Sequence, residues 1–506
     1  MTAATAPLAH PDRFFINGQW VSPSSASKIE VVNSGTEELF FSIAEAQAAD
    51  IDRAVAAARN AFDKGPWPRM SHKERAGYLR AIAAEIDARW EEMARIWTTE
   101  SGVLHATARD SASKLGNVYR RYADLADTFP FQERHTPGVG AGVGLLVREP
   151  VGVVAAIIPW NAPTTLTAYK SAPALLAGCT FILKASPEAP GNPYLFAEIC
   201  EKVGLPPGVF NVLTADREVS ELLVRHPGVD KVTFTGSTAA GKKIASICGE
   251  RVARCTLELG GKSAAVVLDD YDIGLAAKAI TGRTTFLTGQ VCAALTRIVV
   301  DRKRHDDLVE ALSASFKQVK VGDPFDSSCH MGPLAMRRQR DRVEGYISKG
   351  VAEGAQLATG GRRPAHLNRG FFIEPTVFGN VDNHSTIARE EIFGPVLSVI
   401  PAENEENAFE IANDTSYGLN AAVFTNDIER YYAAARRLRS GSVGHNGTRT
   451  DFTIAFGGFK QSGIGREGGV EGLFPFLETK TMVMDSMPPS QTDKVQSPIG
   501  TAPGRS

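Results

Sequence analysis

Much of the first part of the chain spaces its apolar residues as amphipathic helices do. The later part alternates between segments with the pattern of strands and segments with the pattern of helices. Residues 50–63 repeat apolar side chains at helical spacing, and residues 71–100 continue that pattern as one or two further helices. Residues 13–20 alternate around Asn17-Gly18, which predicts a β-hairpin. Residues 143–150 are typical of a strand. The β-branched run 151–158 predicts a strand that is buried on both faces.

From residue 168 onward, strands and helices alternate in a regular way. Strands are predicted at 180–184, 209–213 and 231–234, with helices around them at 168–177, 193–203, 217–226 and 238–248. Such alternation predicts a parallel, doubly wound sheet. A second α/β domain is predicted after residue 292, with a strand at 296–300, helices at 304–319 and 337–353, and strands near Phe372 and Val396.

The C-terminal segment differs from both blocks. Residues 478–485 alternate like a strand but have no obvious partner nearby in sequence, so we expect an edge that pairs across subunits. Residues 487–506 are rich in Pro, Ser and Gly, which predicts disorder.

Composition and charge narrow the function classes. The chain has 506 residues, enough for two or three domains, and its net charge of -2 gives no reason to expect nucleic acid or an anionic membrane as partner. No apolar run reaches the length of a membrane span, and the N-terminus lacks a signal-peptide pattern. The six cysteines form no CxxC pair, as expected of reduced thiols in the cytoplasm, and no cluster has metal-ligand spacing.

Three short segments carry candidate chemistry. Cys292 ends the run FLTGQVC, Glu258 precedes Gly260-Gly261, and Asn161 stands in the turn PWNAP. A thiol can attack a carbonyl, an amide can hold the oxyanion that forms, and a carboxylate can activate water. Each residue also has an ordinary structural interpretation: a buried thiol, a glutamate that closes a strand, or a turn asparagine.

A further segment has the pattern of a phosphate site. Residues 236–241 (GSTAAG) follow a predicted strand and open a helix, so their backbone N–H groups can face a pyrophosphate. There is no GxGxxG, and on its own this segment fits an ordinary strand-to-helix turn equally well.

Together, these motifs give the chain a family resemblance. It resembles the aldehyde dehydrogenase superfamily over residues 14–485, through seven segments in the family's order: PWNAP at Pro159, FTGSTAAG at Phe234, LELGGK at Leu257, GQVC at Gly289, EEIFGPV at Glu390, YGLNAAVFT at Tyr417 and FGGFKQSGIGRE at Phe456. The resemblance implies an α/β fold with a Rossmann-like cofactor domain (1–128 and 150–259), an α/β catalytic domain (260–472) and a small β oligomerisation flap (129–149 and 473–488), followed by a disordered tail (489–506). Members assemble as dimers or tetramers.

The same resemblance implies the roles of individual residues. Cys292 is the expected nucleophile, Asn161 and the Cys292 backbone N–H the oxyanion donors, and Glu258 the general base. The expected cofactor is NAD, with NADP possible, and the residues matched to it are Ile157, Trp160, Lys184, Ser186, Gly236, Ser237, Gly260, Glu391 and Phe393. The expected substrate tunnel is lined by Ala162, Tyr169, Phe286, Val291, Ala293, Phe452 and Phe456. This lining is mostly apolar, so we expect oxidation of a hydrophobic aliphatic or aromatic aldehyde to its acid through a Cys292 thiohemiacetal and thioester. For Phe286 and Phe456, a purely core role stays equally open.

One position departs from the family pattern. Members that prefer NAD often have a glutamate three residues after the ribose-binding lysine, and here that position is Pro187. Glu188 is expected to point elsewhere, so nothing in the sequence repels a 2′-phosphate. NAD is expected, and NADP use stays open.

Three alternatives accompany this interpretation. Arg449 could hold the carboxylate of a semialdehyde substrate. CoA could replace water as acyl acceptor, although that chemistry has no need of Glu258. The chain could also bind ligand without turnover, which the intact Cys292, Glu258 and Asn161 set disfavours.

Overall fold

The computed structural model describes residues 7–140 and 142–489. Its strands are β1 Phe14–Ile16, β2 Gln19–Val21, β3 Lys28–Val32, β4 Leu39–Ala44, β5 Gln132–His135, β6 Val143–Pro150, β7 Val153–Ile157, β8 Thr180–Ala185, β9 Phe210–Thr214, β10 Lys231–Thr235, β11 Arg254–Glu258, β12 Ser263–Val267, β13 Leu295–Asp301, β14 Gln356–Thr359, β15 Thr376–Gly379, β16 Val396–Ala402, β17 Asn420–Phe424, β18 Ser442–His445, β19 Gly463–Ile464 and β20 Leu477–Met484.

Helices alternate with these strands through both α/β regions. They are α1 Ala48–Asp63, α2 His72–Ser101, α3 His105–Ala112, α4 Gly116–Thr128, α5 Pro163–Ala177, α6 Gly191–Lys202, α7 Arg217–Arg225, α8 Thr238–Arg251, α9 Ile273–Thr284, α10 His305–Lys317, α11 Arg337–Ala352, α12 Thr386–Arg389, α13 Glu405–Asn413 and α14 Ile428–Arg437. No helix in the described ranges is long and apolar enough to cross a membrane.

The first sheet confirms the predicted α/β class. Its strand order is β19-β11-β10-β7-β8-β9-β1-β2, and β7 pairs in parallel with both β8 and β10. Every residue of β7 is buried, as the β-branched run predicts for a strand covered on both faces. Because the chain runs from β7 to one side and later returns to the other, the strand order reverses at β7. The carboxyl ends of β7 and β10 therefore flank the crevice where such sheets bind ligands.

The second sheet has the order β14-β15-β16-β13-β12-β17-β18. Helices α9 and α10 pack on one of its apolar faces, and α13 and α14 on the other. The strand predicted near Phe372 was misplaced. Phe371, Phe372 and Ile373 are buried loop side chains, and β15 begins only after Pro375, which has no N–H to donate.

The third sheet, β20-β6-β5, gives residues 478–485 a partner that the sequence did not suggest. β20 pairs antiparallel with β6 of the same chain, with Leu477 opposite Pro150 and Met484 opposite Val143. Lys480 Nζ also lies 2.6 Å from a Glu149 carboxylate oxygen. The predicted strand is confirmed, its partner is far away in sequence, and pairing across subunits stays a prediction. In the described chain the other edge of β20 is unpaired.

Residues 71–100 form one helix rather than two. Ser71 and Glu74 make a capping box at the start of α2, and Gly102, with φ 73°, ends it. The length of α2 matters for function because its last turn reaches the loop that follows β7. The tail predicted to be disordered lies almost entirely outside the described residues, which end at 489.

Candidate active site

Asn161 lies in the loop after β7, and helix α2 holds this loop in place. The indole N–H of Trp97 donates to the Asn161 carbonyl at 2.9 Å, and the Ser101 hydroxyl donates to the Trp160 carbonyl at 2.8 Å. The side-chain amide of Asn161 is buried and donates to the Gln290 carbonyl at 2.9 Å. The amide is therefore fixed against the segment that carries Cys292.

The approach to Cys292 has an unusual backbone. Leu287, Thr288 and Gly289 have successive φ values of 48°, 56° and 71°, a left-handed run that L side chains rarely adopt. A Cβ on Gly289 would lie 2.4 Å from the Gly394 carbonyl carbon, so only glycine fits there. The Gln290 side chain secures the run by donating to the Leu287 carbonyl and accepting from the Ala335 N–H.

The Cys292 thiol is partly exposed, and protein atoms otherwise surround it closely. It packs in an apolar cluster with Phe452 and Phe456. Burial raises the pKa of the thiol to about 12, with the nearby Glu391 and Glu258 carboxylates adding to the effect. The resting thiol is therefore protonated at neutral pH and needs a base to become a nucleophile.

Glu258 is the last residue of β11 and has no ordinary role in the fold. It is 2% exposed, and neither carboxylate oxygen has a hydrogen-bond partner. Burial raises its pKa well above the usual range, and repulsion from Glu467 adds to this, against Lys170 and Arg466. A buried carboxylate without partners is costly for stability, which points to a functional reason for its position.

Two residues beside Glu258 escaped the sequence analysis. Lys170, on α5, is fully buried and forms an ion pair with Glu467, and its ammonium also lies 3.2 Å from the Thr233 hydroxyl. A lone lysine inside the otherwise uncharged helix 163–177 was a usable signal. Glu467 is the last residue of the segment FGGFKQSGIGRE, whose match to the family was noted without a role for this residue. Together they form a buried pair that sets the charge around Glu258.

The paired glycines after Glu258 do allow close approach, but to protein groups. A Cβ on Gly260 would lie 2.4 Å from a Glu391 carboxylate oxygen, and one on Gly261 would lie 2.4 Å from the Cys292 carbonyl. The Gly261 N–H donates to Glu391 Oε1 at 3.0 Å. Burial raises the pKa of Glu391 to about 7. The two glycines therefore let the backbone after Glu258 pack closely against both Cys292 and Glu391.

The crevice at the switch point fits a dinucleotide. Ile157 ends β7, and Ser237 caps α8 by accepting from the Ala240 N–H at 3.3 Å. The first turn of α8 after Gly236 is solvent-exposed, so its free N–H groups are available to phosphate. On the opposite side, the Trp160 ring meets the Phe393 ring edge-on, with 5.4 Å between centroids.

At the far end of the crevice, the structure corrects the expectation for Glu188. Its Oε2 accepts from the Ser186 hydroxyl at 2.5 Å, and its Oε1 lies 2.6 Å from the Arg338 guanidinium. Burial lowers the pKa of Lys184 to about 8, and the Glu188 charge opposes that shift. The Glu188 carboxylate therefore points toward Lys184 and Ser186. It supplies a negative charge beside these residues, although Pro187 occupies the position where NAD-preferring members often have a glutamate.

Aromatic side chains connect Cys292 with a cavity. The Phe456 ring stacks on Phe452 at 4.2 Å between centroids, and Phe452 lies 4.6 Å from Tyr169. Tyr169 and Phe452 also line a cavity of about 190 Å³, with Val118, Tyr122, Leu125, Val470 and Arg121 among its walls. Val291 and Ala293 pack beside Phe456, and Ala162 packs against the core near the Asn161 loop.

Two matched or proposed substrate residues lie elsewhere. Phe286 is 37% exposed, with the Arg283 guanidinium over its ring, and belongs to neither aromatic cluster nor cavity. Arg449 is exposed, donates to the His445 carbonyl at 3.0 Å, and does not line the cavity. Within residues 7–140 and 142–489, no group of three or more His, Cys, Asp or Glu side chains is placed to hold a metal ion.

The fold and the site define a class. A doubly wound domain of the cofactor-binding type, facing a thiol, a buried carboxylate and a fixed amide, is the arrangement of an enzyme that oxidises carbonyl compounds through cysteine. Comparison with known proteins agrees. The model of the aldehyde dehydrogenase family matches residues 20–482. The chain belongs to the aldehyde dehydrogenase family, and the oxidation of aldehydes is its reaction class.

Similar proteins act on different aldehydes. Geranial dehydrogenase of Castellaniella defragrans is 42% identical over 471 residues, 93% of this chain and 98% of that protein. A 3-succinoylsemialdehyde-pyridine dehydrogenase of a Pseudomonas species is 43% identical over 476 residues, again 93% and 98%. The crystal structure of aldehyde dehydrogenase C of Pseudomonas syringae, a cysteine-to-alanine variant complexed with NAD+ and octanal, is 40% identical with a TM-score of 0.90, covering 94% of this chain and 97% of that one.

Proposed function

We propose that this chain oxidises a hydrophobic aldehyde to the carboxylic acid with NAD, using Cys292 as nucleophile. The observation that carries the proposal is the continuous aromatic path from the cavity, through Tyr169, Phe452 and Phe456, to the thiol. An apolar path that ends at a thiol suits an uncharged chain with a reactive carbonyl at its tip.

The first half of the reaction joins sulfur to carbon. The Cys292 thiol loses its proton to a base as the sulfur attacks the aldehyde carbon, and the carbonyl electron pair moves to oxygen. Glu391 and Glu258 are the two carboxylates whose charge acts on the thiol, and either can take its proton. NAD, when bound, supplies the acceptor for the hydride that leaves this carbon, and a thioester on Cys292 remains. We assign cofactor binding to the crevice residues from Ile157 and Trp160 to Glu391 and Phe393.

Asn161 is proposed to stabilise the oxyanion together with the Cys292 backbone N–H. Trp97 and Ser101 hold the backbone carbonyls of Asn161 and Trp160, and the side-chain amide itself donates to the Gln290 carbonyl, so the amide is positioned before the substrate binds. We expect Asn161→Ala to lower kcat by about 10²–10³-fold, because one oxyanion donor is lost. Steady-state kinetics would show this, and a thermal unfolding midpoint close to wild type would separate it from misfolding. An unchanged kcat would remove Asn161 from the mechanism.

The second half of the reaction releases the acid. Any thiol proton that Glu258 took in the first half must first pass to solvent, which leaves the carboxylate ionised. Water then attacks the thioester and Glu258 accepts a proton from that water. As the C–S bond breaks, the leaving sulfur takes this proton back and the thiol is restored. The partner-free, buried carboxylate of Glu258 suits this role because its raised pKa makes it a stronger base than an exposed glutamate. If CoA replaced water as the acyl acceptor, no water would have to be activated, and Glu258 would have no role in releasing the acyl group.

For the cofactor, the position of Glu188 favours NAD over NADP. Its carboxylate lies beside Ser186 and acts on Lys184, the residues matched to the adenosine ribose. A 2′-phosphate would bring further negative charge against it. The neighbouring structure with bound NAD+ and octanal supports the same choice and the same kind of substrate.

Chain length is the sharpest test of substrate class. We expect kcat/KM to rise from acetaldehyde toward octanal by about fourfold per methylene until the cavity is filled, since each buried CH₂ contributes about 0.8 kcal/mol. Benzaldehyde should also be accepted, whereas succinic semialdehyde should be poor. Reduced-cofactor formation, measured with NAD and NADP in parallel, gives both preferences. A flat profile over chain length would contradict the hydrophobic assignment.

A semialdehyde is the second candidate, but through a different arginine from the one the sequence suggested. Arg121 lines the cavity and its charge acts on Tyr169, whereas Arg449 does not line it. If succinic semialdehyde proves the better substrate, Arg121→Met should abolish that preference and the matched variant Arg449→Met should not. The similar succinoylsemialdehyde enzyme makes this comparison worthwhile.

We propose further that the chain assembles as a homodimer or homotetramer through β20. This strand lies at the edge of its sheet in the described chain, and Val483 on it is 62% exposed. An exposed strand edge with free backbone groups and apolar side chains at one end is commonly covered in stable proteins.

A further inference from the structure

A second pocket lies in the catalytic domain, on the far side of Gly261 from the crevice. It is a cavity of about 20 Å³ between the start of β12, the start of β17 and the segment that precedes β18. Its charged and polar walls include Lys262, Ser263, Arg297, Asn420 and Arg439. Arg439 is exposed, so the pocket reaches the surface on that side.

Three buried polar atoms in these walls have no hydrogen-bond partner within the protein. They are Lys262 Nζ, Ser263 Oγ and Asn420 Oδ1. The residues are 1%, 4% and 2% exposed. Buried polar groups are almost always satisfied, and two of these atoms, Lys262 Nζ and Ser263 Oγ, are donors without an acceptor among the described residues, which indicates a bound acceptor in the pocket.

The charge of the walls indicates what the occupant is. Lys262, Arg297 and Arg439 are cationic, and no carboxylate lines the pocket. The Arg297 guanidinium already donates to the carbonyls of Lys262, Ile411 and Ala412. It therefore adds positive charge to the pocket rather than a hydrogen-bond donor for the occupant. Asp414 acts on Arg297 from outside the lining and is bonded to Arg389 and Asn383, so the walls themselves carry a net positive charge.

The nearest carboxylates are already committed to other groups. Glu391 and Glu390 favour the charged form of Lys262 but do not bond to it. Glu391 accepts from the Gly261 N–H, and Glu390 accepts from the Tyr346 hydroxyl. Burial, followed by repulsion from Arg297, lowers the pKa of Lys262 to about 7. The Lys262 ammonium thus has no counterion within the protein.

We propose that this pocket binds one monatomic halide anion, chloride under ordinary conditions. Lys262 Nζ and the Ser263 hydroxyl are its donors. The volume suits a single small ion or one water. A water alone would satisfy hydrogen bonds but leave the buried cation uncompensated, and a metal cation would be repelled. Asn420 Oδ1 is an acceptor and is not a ligand of the ion.

The bound anion would stabilise the residues that pack against the backbone of Cys292 and Ala293. Lys262 directly follows Gly261, whose backbone crowds the Cys292 carbonyl. Asn420 Nδ2 donates to the Ala293 carbonyl at 2.9 Å from the other side. The anion site therefore lies next to Gly261 and Asn420, the residues that contact the carbonyls of Cys292 and Ala293. Anion binding does not depend on the proposed reaction.

Anomalous diffraction from crystals soaked in bromide tests the site directly. The expected result is a bromide peak within hydrogen-bond distance of Lys262 Nζ in wild type and in the surface control Lys349→Met, and none in Lys262→Met. The pocket holding only water in bromide-soaked wild-type crystals, or bromide only at surface sites, would overturn the proposal. This readout needs no activity, and the wild-type crystals alone decide whether bromide occupies the pocket if the Lys262 variant does not fold.

Thermal unfolding in solution provides the second arm. At matched ionic strength, potassium chloride should raise the unfolding midpoint of wild type and Lys349→Met above potassium gluconate by about 1–3 °C. Ser263→Ala, a small change that keeps the lysine, should reduce this difference. Equal midpoints in both salts for the wild type would contradict chloride binding.

Discussion

Cys292→Ala is expected to lower kcat for aldehyde oxidation by about 10⁴-fold or more, because removing a covalent nucleophile removes the reaction path itself. The thiol lies against the aromatic cluster of Phe452 and Phe456, at the inner end of the path from the cavity. NAD binding, followed by fluorescence titration, should stay at the wild-type level, since the crevice residues are unchanged. Initial rates on octanal provide the measurement.

Cys255→Ala is the matched control for this variant. Cys255 and Cys292 are the two cysteines that are not buried, so they are comparable in reagent access. Cys255 lies on β11 away from the aromatic path and should keep full activity when replaced. Activity that survives in Cys292→Ala and disappears in Cys255→Ala would reverse the assignment of the nucleophile.

Glu258→Gln is expected to separate the two halves of the reaction. Loss of a general base should slow thioester hydrolysis by about 10²–10⁴-fold. If another group takes the thiol proton, rapid-mixing experiments should still show one burst equivalent of reduced cofactor per active site, followed by near-arrest. If Glu258 also serves the attack, the burst itself should slow. The exposed Glu250→Gln should behave like wild type.

The pH dependence gives the same assignment an independent check. Glu258 must be ionised to accept a proton, and burial raises its pKa well above that of a free glutamate. The wild-type turnover should therefore fall as pH decreases through this raised pKa and level off above it. The acidic limb should be absent from the residual activity of Glu258→Gln. A limb that persists unchanged in the variant would belong to another group.

The sequence predicted the fold class well where patterns are local. Alternating strands and helices give the doubly wound sheet, and the hairpin at Asn17-Gly18 forms with φ values of 55° and 72°. Long-range pairing could not be read the same way. Nothing in residues 478–485 identifies β6 as their partner, because strand pairing depends on three-dimensional proximity rather than on local composition.

The residues of the candidate site show the same difference between local patterns and long-range contacts. Motif residues such as Cys292, Glu258 and Asn161 stand out because their neighbours are distinctive. Lys170 and Glu467 become visible only when α5 and the 456–467 segment meet beside β11. The direction of the Glu188 carboxylate depends on Ser186 and Arg338, the latter 150 residues later, so sequence position alone gave the wrong expectation.

The late return of β20 has a consequence for biosynthesis. Glu149 on β6 and Lys480 on β20 are 331 residues apart in sequence. At a ribosomal rate of 5–20 residues per second, β6 waits roughly 15–65 s for its partner to be made. During that interval the nascent polypeptide presents an apolar strand with an open side, the kind of surface that chaperones shield. The third sheet is therefore complete only after β20 has been synthesised.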